Sequence, residues 1–186
     1  EIIIYDDVSS DKSKEYIKSI KNKRIKKIFN HKKNFKSSSL NQLKAINRSF
    51  LKSRGKIIFL LDSDDAFLKD KVKYFVDTFQ KNKKLEFLQD NPIYYYPKKK
   101  LKEKKKLKLK KLVFHTWPYF NPTSTMAFQR NFFKKFLEEI SFSDKKFGKM
   151  AIDARAYIYI YFFSKNYKIL NKYLTIYTQN IRGYTI

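Results

Sequence analysis

The chain has 186 residues, 42% of them hydrophobic and 18% aromatic, which is enough apolar side chain for a packed core and excludes a wholly disordered chain. Its 43 basic and 17 acidic residues give a net charge of +26; such a surface attracts phosphate, yet only six of the bases are Arg, whose planar fork is the usual tool of phosphate recognition. Cysteine is absent and histidine occurs twice, as His31 and His115, which excludes a disulfide framework, a thiolate nucleophile and most zinc sites.

The chain opens on Glu1 and enters an apolar run at once, the pattern expected of a chain whose natural start lies upstream. Ile2-Ile3-Ile4-Tyr5 suits a buried parallel strand and stops at Asp6-Asp7. Ser9, Ser10 or Asp11 can cap a helix through Lys21, with Tyr16, Ile17 and Ile20 inward. Ile25 to Phe29 forms a second strand. A Ser cluster at 37–39 precedes a helical pattern of Leu40, Leu43, Ile46 and Phe50, with Gly55 as its left-handed stop. Ile57 to Leu61 is the strongest strand and runs into Asp62-Ser63-Asp64-Asp65. Leu68 to Asn82 is helical, with Val72, Phe75, Val76 and Phe79 on one face, and Leu85 to Leu88 is a further strand.

Residues 98–111 hold ten Lys, one Glu and three Leu, either an edge strand blunted by charge or a solvated loop. Lys, Ile, Phe, Tyr and Asn account for 100 of the 186 residues. All five have AT-rich codons, so genome composition explains most of the charge. Asn121 to Phe128 reads as a turn leading into a strand, Asn131 to Ile140 and Met150 to Phe163 as helices, and Tyr167–Leu170 with Tyr173–Tyr177 as a pair of short strands. No run approaches the ~20 apolar residues of a membrane span. The most apolar stretch, Ile152 to Phe163, is broken by Asp153 and Arg155.

The alternation of strand and helix predicts a doubly wound α/β sheet, in which ligands sit beyond the carboxyl ends of the strands. Both acidic clusters fall at that edge. Asp62, Asp64 and Asp65 would repel one another, and a divalent cation relieves this; hard oxygen ligands suit Mg²⁺ or Mn²⁺. The alternative is a helix N-terminus decorated with acids. Asp6 and Asp7 can accept hydrogen bonds from a ribose hydroxyl or a base N–H, or simply close an Asx turn.

Two segments carry a family resemblance. Glu1-Ile-Ile-Ile-Tyr-Asp-Asp-Val-Ser-Ser-Asp-Lys-Ser13 resembles the "EIIIVDDGSTDGS" segment of family 2 glycosyltransferases, and Gly55-Lys-Ile-Ile-Phe-Leu-Leu-Asp-Ser-Asp-Asp65 resembles their "GeyI.flDsDD" segment. The Ser-rich stretch and Asn41 between them are similar to the family's "N.G.s.arN" region. The resemblance implies a GT-A fold: α/β, a Rossmann-like, mostly parallel sheet flanked by helices, with the first strand missing. It implies one domain over 1–186, with a nucleotide-sugar-binding half at 1–90 and an acceptor-binding half at 91–186. Asp7, with Asp6 nearby, would contact the nucleoside base. Asp62, Ser63 and Asp64 would form the DxD motif on ribose, metal and diphosphate, with Asp65 as an adjacent metal ligand.

By the same resemblance Asp153 occupies the place of the catalytic base. It stands among apolar residues, where a carboxylate needs a partner or a role; the alternative is an ion pair with Arg155 or a lysine. Trp117, Thr123 and Ser124 would lie near the acceptor, Trp117 stacking on a sugar or packing in the core, and His115 could line the same site. Three departures stand out. Val8 replaces the family's Gly, Asn34-Phe35-Lys36 stands where its glycine-bearing loop runs, and its "ED" pair is Ile152-Asp153.

The expected reaction is an inverting, metal-dependent transfer of a sugar from a nucleotide-diphosphate sugar to a glycan or glycolipid acceptor, in cell-surface polysaccharide or lipopolysaccharide synthesis. The expected setting is the cytoplasm, at the inner face of an anionic membrane, with no specific nucleic acid. A sugar nucleotidyltransferase and a non-enzymatic basic module on nucleic acid or lipid are the alternatives.

Overall fold

The computed structural model describes residues 1–33, 36–104, 121–139 and 148–179. Its contacts divide the chain into two compact units, Glu1–Lys56 with Leu137–Ile152 and Ile57–Phe136 with Asp153–Ile186.

In the first unit, β1 (Ile2–Asp6) and β2 (Ile25–Phe29) pair in parallel, with Ile2 opposite Ile25 and Asp6 opposite Phe29. The helix between them, α1 (Ser13–Ser19), is two turns long, and the Asp11 carboxylate accepts the Ser13 N–H at 2.9 Å at its start. Ile17 and Ile20 are half-buried, but Tyr16 is 71% exposed rather than inward; one residue from Ile17 it points about 100° away from that stripe. α2 (Ser38–Lys52) starts where the Ser37 hydroxyl accepts the Leu40 N–H at 3.4 Å, and it buries Leu43 and Phe50. It ends at Ser53 in an extended conformation, whose N–H and hydroxyl both donate to the Phe50 carbonyl, at 3.0 and 2.7 Å. No described glycine has a positive φ, so this bonded serine, not Gly55, stops the helix.

The second unit holds β3 (Ile57–Phe59), β4 (Ala66–Phe67), β5 (Phe87–Tyr96), β6 (Leu101–Lys104), β7 (Met126–Gln129) and β8 (Tyr167–Thr178) in one sheet. The order is β3-β7-β5-β8-β4, with β6 on β5. β5 and β8 are parallel, and the other pairings of this sheet are antiparallel. The α/β architecture is as expected, but the sheet is mixed rather than mostly parallel. β3 and β5 do run in the same direction, as a strand–helix–strand crossover requires; β7 lies between them, antiparallel to both.

The crossover helix α3 (Lys71–Lys81) buries Lys71, Phe75 and Phe79 and leaves Val72 exposed. Phe75, Phe79, Leu85, Leu88, Ala127 and Leu170 form its core. β8 is one strand rather than two short ones. Register shifts at Gln89–Asn91 and Asn91–Pro92 absorb its irregularity, since Pro92 has no N–H to give the ladder. β6 is a lysine-rich edge strand, mostly exposed; residues 105–111 lie outside the described residues. α4 (Arg130–Glu139) and α5 (Ile152–Phe163) follow the predicted helices. Phe136 stacks on Phe128 at 5.9 Å and meets Tyr159 of α5 at 5.4 Å. No described helix is long and apolar enough to cross a membrane.

Candidate active site

In the first unit the site residues gather at the carboxyl ends of β1 and β2. Asp6 is 2% exposed, and neither carboxylate oxygen has a hydrogen-bond partner among the described residues. Buried carboxylate oxygens without donors are costly, so this end of the strand is suited to a ligand that brings N–H or O–H groups. Asp7 Oδ1 accepts from Asn30 Nδ2 at 2.8 Å, and the Asn30 N–H donates to the Asp6 carbonyl at 2.9 Å. Asn30 thus fixes the pair from the neighbouring strand end. Val8 follows with φ 61°, the left-handed region that suits glycine and strains a β-branched residue. The glycine missing from the sequence motif is missing where the backbone calls for one.

In the second unit β3 delivers the chain into the acidic turn. The Asp65 N–H donates to the Asp62 carbonyl at 3.2 Å, closing that turn. The Asp62 N–H donates to the Ser124 hydroxyl at 2.9 Å. Asp65 is held through Oδ1, which accepts the Thr178 N–H at 2.8 Å. Its other oxygen, Oδ2, is buried without a partner among the described residues. Burial pushes the Asp65 carboxyl above its ordinary range, against the pull of the Ser124 and Thr178 donors. Ser63 and Asp64 are exposed on the outer side of the turn.

Asp153 stands in the first turn of α5, half-buried, with Oδ1 accepting the Ala154 N–H at 2.8 Å. Burial and the backbone N–H groups, rather than a cation, set the state of Asp153. Burial pushes its carboxyl up. Tyr177 reports on the neighbourhood: its phenol is pushed up to about 12, first by burial and then by the negative charges of Asp65 and Asp153, with Asp62 and the Tyr94 phenol adding to them. Asp153 and the Asp62–Asp65 turn, far apart in sequence, therefore both lie near Tyr177.

Thr123 and Ser124 lie in a buried 3-10 turn that precedes β7. Ser124 is brought to the acidic turn; Thr123 is 6% exposed. Trp117 and His115 lie outside the described residues, as do Asn34 and Phe35.

Among the described residues no three acidic or histidine side chains are close enough to form a ready-made cation cage. A Mg²⁺ or Mn²⁺ ion that keeps its waters and bridges substrate phosphates needs only one or two carboxylates. The orphaned Asp65 Oδ2 and the exposed Asp64 fit that sparser donor set.

The sequence drew no attention to Asn30, Lys71 or Asp90. Lys71 is fully buried, with its ammonium 2.9 Å from Asp90 Oδ1 and 2.7 Å from the Ser124 carbonyl. Burial pulls it down to about 8, with the Asp90 charge opposing. Burial likewise pushes Asp90 up. A lysine at a helix start and an aspartate inside a strand carry no local signature of pairing.

The fold matches solved structures of the S. aureus protein TarS. TarS 1–349 superposes with a TM-score of 0.63 at 14% identity, covering 96% of this chain and 51% of that one. TarS 1–349 in complex with UDP-GlcNAc gives 0.60 at 15%, covering 97% and 50%. A further TarS structure gives 0.58 at 14%, covering 96% and 31%. The chain thus spans about half the length of the first two. At this identity the likeness shows the fold. No curated protein gives a significant match. The sequence model described as "Glycosyl transferase family 2" matches residues 1–141, which include both acidic strand ends and Ser124, and on that match the chain belongs to glycosyl transferase family 2.

Proposed function

We propose that this chain transfers a sugar from a nucleotide-diphosphate sugar to an acceptor hydroxyl, by a single displacement that inverts the anomeric centre. The reading is carried by the acidic turn after β3, inside the family match over residues 1–141, where Asp65 Oδ2 is buried without a partner among the described residues and Asp64 is exposed beside it. Asp153 takes the proton from the acceptor hydroxyl as general base. Its raised pKa makes the carboxylate a stronger base than an exposed aspartate. Asp64 and Asp65 would hold a divalent cation, Mn²⁺ or Mg²⁺, which when bound would neutralise charge on the leaving nucleoside diphosphate. Asp6 and Asp7 take the donor's nucleoside, where the unpartnered oxygens of Asp6 await donor groups. Ser63 assists on the donor side, and Thr123, Ser124 and Trp117 belong to the acceptor side.

UDP-GlcNAc, the molecule bound in a TarS structure, is the first donor to test. The acceptor class is a glycan or glycolipid of the cell surface. The excess of lysine suits a chain working against the anionic inner face of a membrane, in the cytoplasm, and no specific nucleic acid is needed. The test is donor turnover across a panel of nucleotide sugars with Mn²⁺. Turnover that stops on addition of EDTA and falls at least a hundredfold in Asp153→Asn supports the reading. Undiminished turnover in EDTA removes the cation from it.

A further inference from the structure

Lys71 begins α3 and is fully buried, although lysine is among the residues least often found inside. Its ammonium has three N–H donors and the structure supplies three acceptors: Asp90 Oδ1 at 2.9 Å, the Ser124 carbonyl at 2.7 Å and the Thr175 hydroxyl. The rings of Phe67 and Phe75 lie 4.2 and 5.1 Å away and close the remaining sides. Asp90 is equally committed. It accepts the Leu174 N–H at 2.8 Å, and the Thr175 hydroxyl lies 2.9 Å from each of its oxygens. Four parts of the second unit thus meet at one buried pair: α3, β5, β8 and the turn at 123–125.

Two of those parts are the ones that hold the acidic turn. Ser124, whose carbonyl Lys71 grips, receives the Asp62 N–H on its hydroxyl. β8, which Asp90 grips at Leu174 and Thr175, gives the Thr178 N–H to Asp65 Oδ1. An apolar pair would fill the same space at less desolvation cost, but it would not bond the Ser124 carbonyl. We infer that Lys71, paired with Asp90, is a positioning residue that sets the Asp62–Asp65 turn through Ser124 and β8. The step from turn geometry to donor chemistry rests on the proposed glycosyl transfer; the positioning itself does not.

The test is amide hydrogen exchange of the whole chain at residues 60–66, read beside its thermal melt. The charge-free pair Lys71→Met/Asp90→Asn is expected to keep the fold and to exchange about tenfold faster than the unaltered chain at the Asp62 and Asp65 amides. Ser124→Ala should reproduce that local effect, and Ser124→Thr, which keeps the hydroxyl, should restore protection. Should that double variant fail to fold, the apolar pair Lys71→Met/Asp90→Leu takes its place in the same exchange measurement. Protection at 62–65 left unchanged by Ser124→Ala, or by a folded double variant, overturns the inference. The same geometry predicts a kcat effect: relative to the unaltered chain the double variant loses about tenfold or more in kcat with donor KM little changed, as expected when reacting groups are misplaced by a fraction of an ångström. A chain that turns over no nucleotide sugar under any condition refutes the proposed function, while the exchange result still decides the positioning role.

Discussion

Val8 holds φ 61° directly after Asp6-Asp7, and a β-branched side chain there costs on the order of 1–2 kcal/mol relative to a residue free to adopt the left-handed region. Glycine's own entropy loss offsets part of this, so Val8→Gly should stabilise the chain by about 1 kcal/mol in urea unfolding. Asp153 makes a separate prediction in pH. Burial raises its folded pKa above the unfolded value, so the folded state holds the proton more firmly. The stability this lends is complete below the unfolded pKa and is lost as pH rises through the raised folded one. Asp153→Asn should flatten that part of the melting-temperature profile. On the proposed reaction, with Asp153 as the base, the acidic limb of kcat should lie above the ordinary aspartate range, since a base works only when ionised. At this scale both acidic clusters were legible, because like charges crowded at a strand end are conspicuous in any sequence. Asn30, Lys71 and Asp90 were not, because their meaning lies in partners 19 to 104 residues away.

At the scale of elements, α3 shows what periodicity does and does not reveal. The apolar pattern located the helix and its Phe75 and Phe79 anchors. It also assigned Val72 to the inner face, whereas the buried stripe runs Lys71, Phe75, Phe79, four residues apart, and the chain gives its innermost first turn to a charge. Lys71→Met alone should destabilise the protein by about 3–5 kcal/mol because Asp90 is left buried and uncompensated, whereas the double change with Asp90→Asn should be near neutral. Chemical denaturation of both variants checks this contrast. Phe75→Ala should cost about 3–5 kcal/mol through the cavity it leaves among Phe79, Leu88 and Ala127. β8 was split in two by sequence reasoning because Asn171 and Lys172 interrupt its apolar pattern; pairing with β5 carries the strand across them.

Across the whole molecule, the sequence predicted the strand–helix–strand order and the direction of β3 and β5, but not the placing of β7 between them. Sheet order depends on contacts between distant segments, and these leave no trace in local pattern. The net charge of +26 says less about function than its few acids do. Five of the 17 acids stand at two strand ends, each after an apolar run, and the family match spans both. The central claim is that these acids serve transfer of a sugar with release of a nucleoside diphosphate. Product analysis tests it most directly: the chain is incubated with nucleotide sugars, UDP-GlcNAc first, and Mn²⁺, and the released nucleotide is identified by chromatography. The account predicts nucleoside diphosphate, formed only with the cation present and lost in Asp64→Asn. Pyrophosphate as the product, or nucleoside diphosphate formed equally well by Asp64→Asn in EDTA, would contradict it.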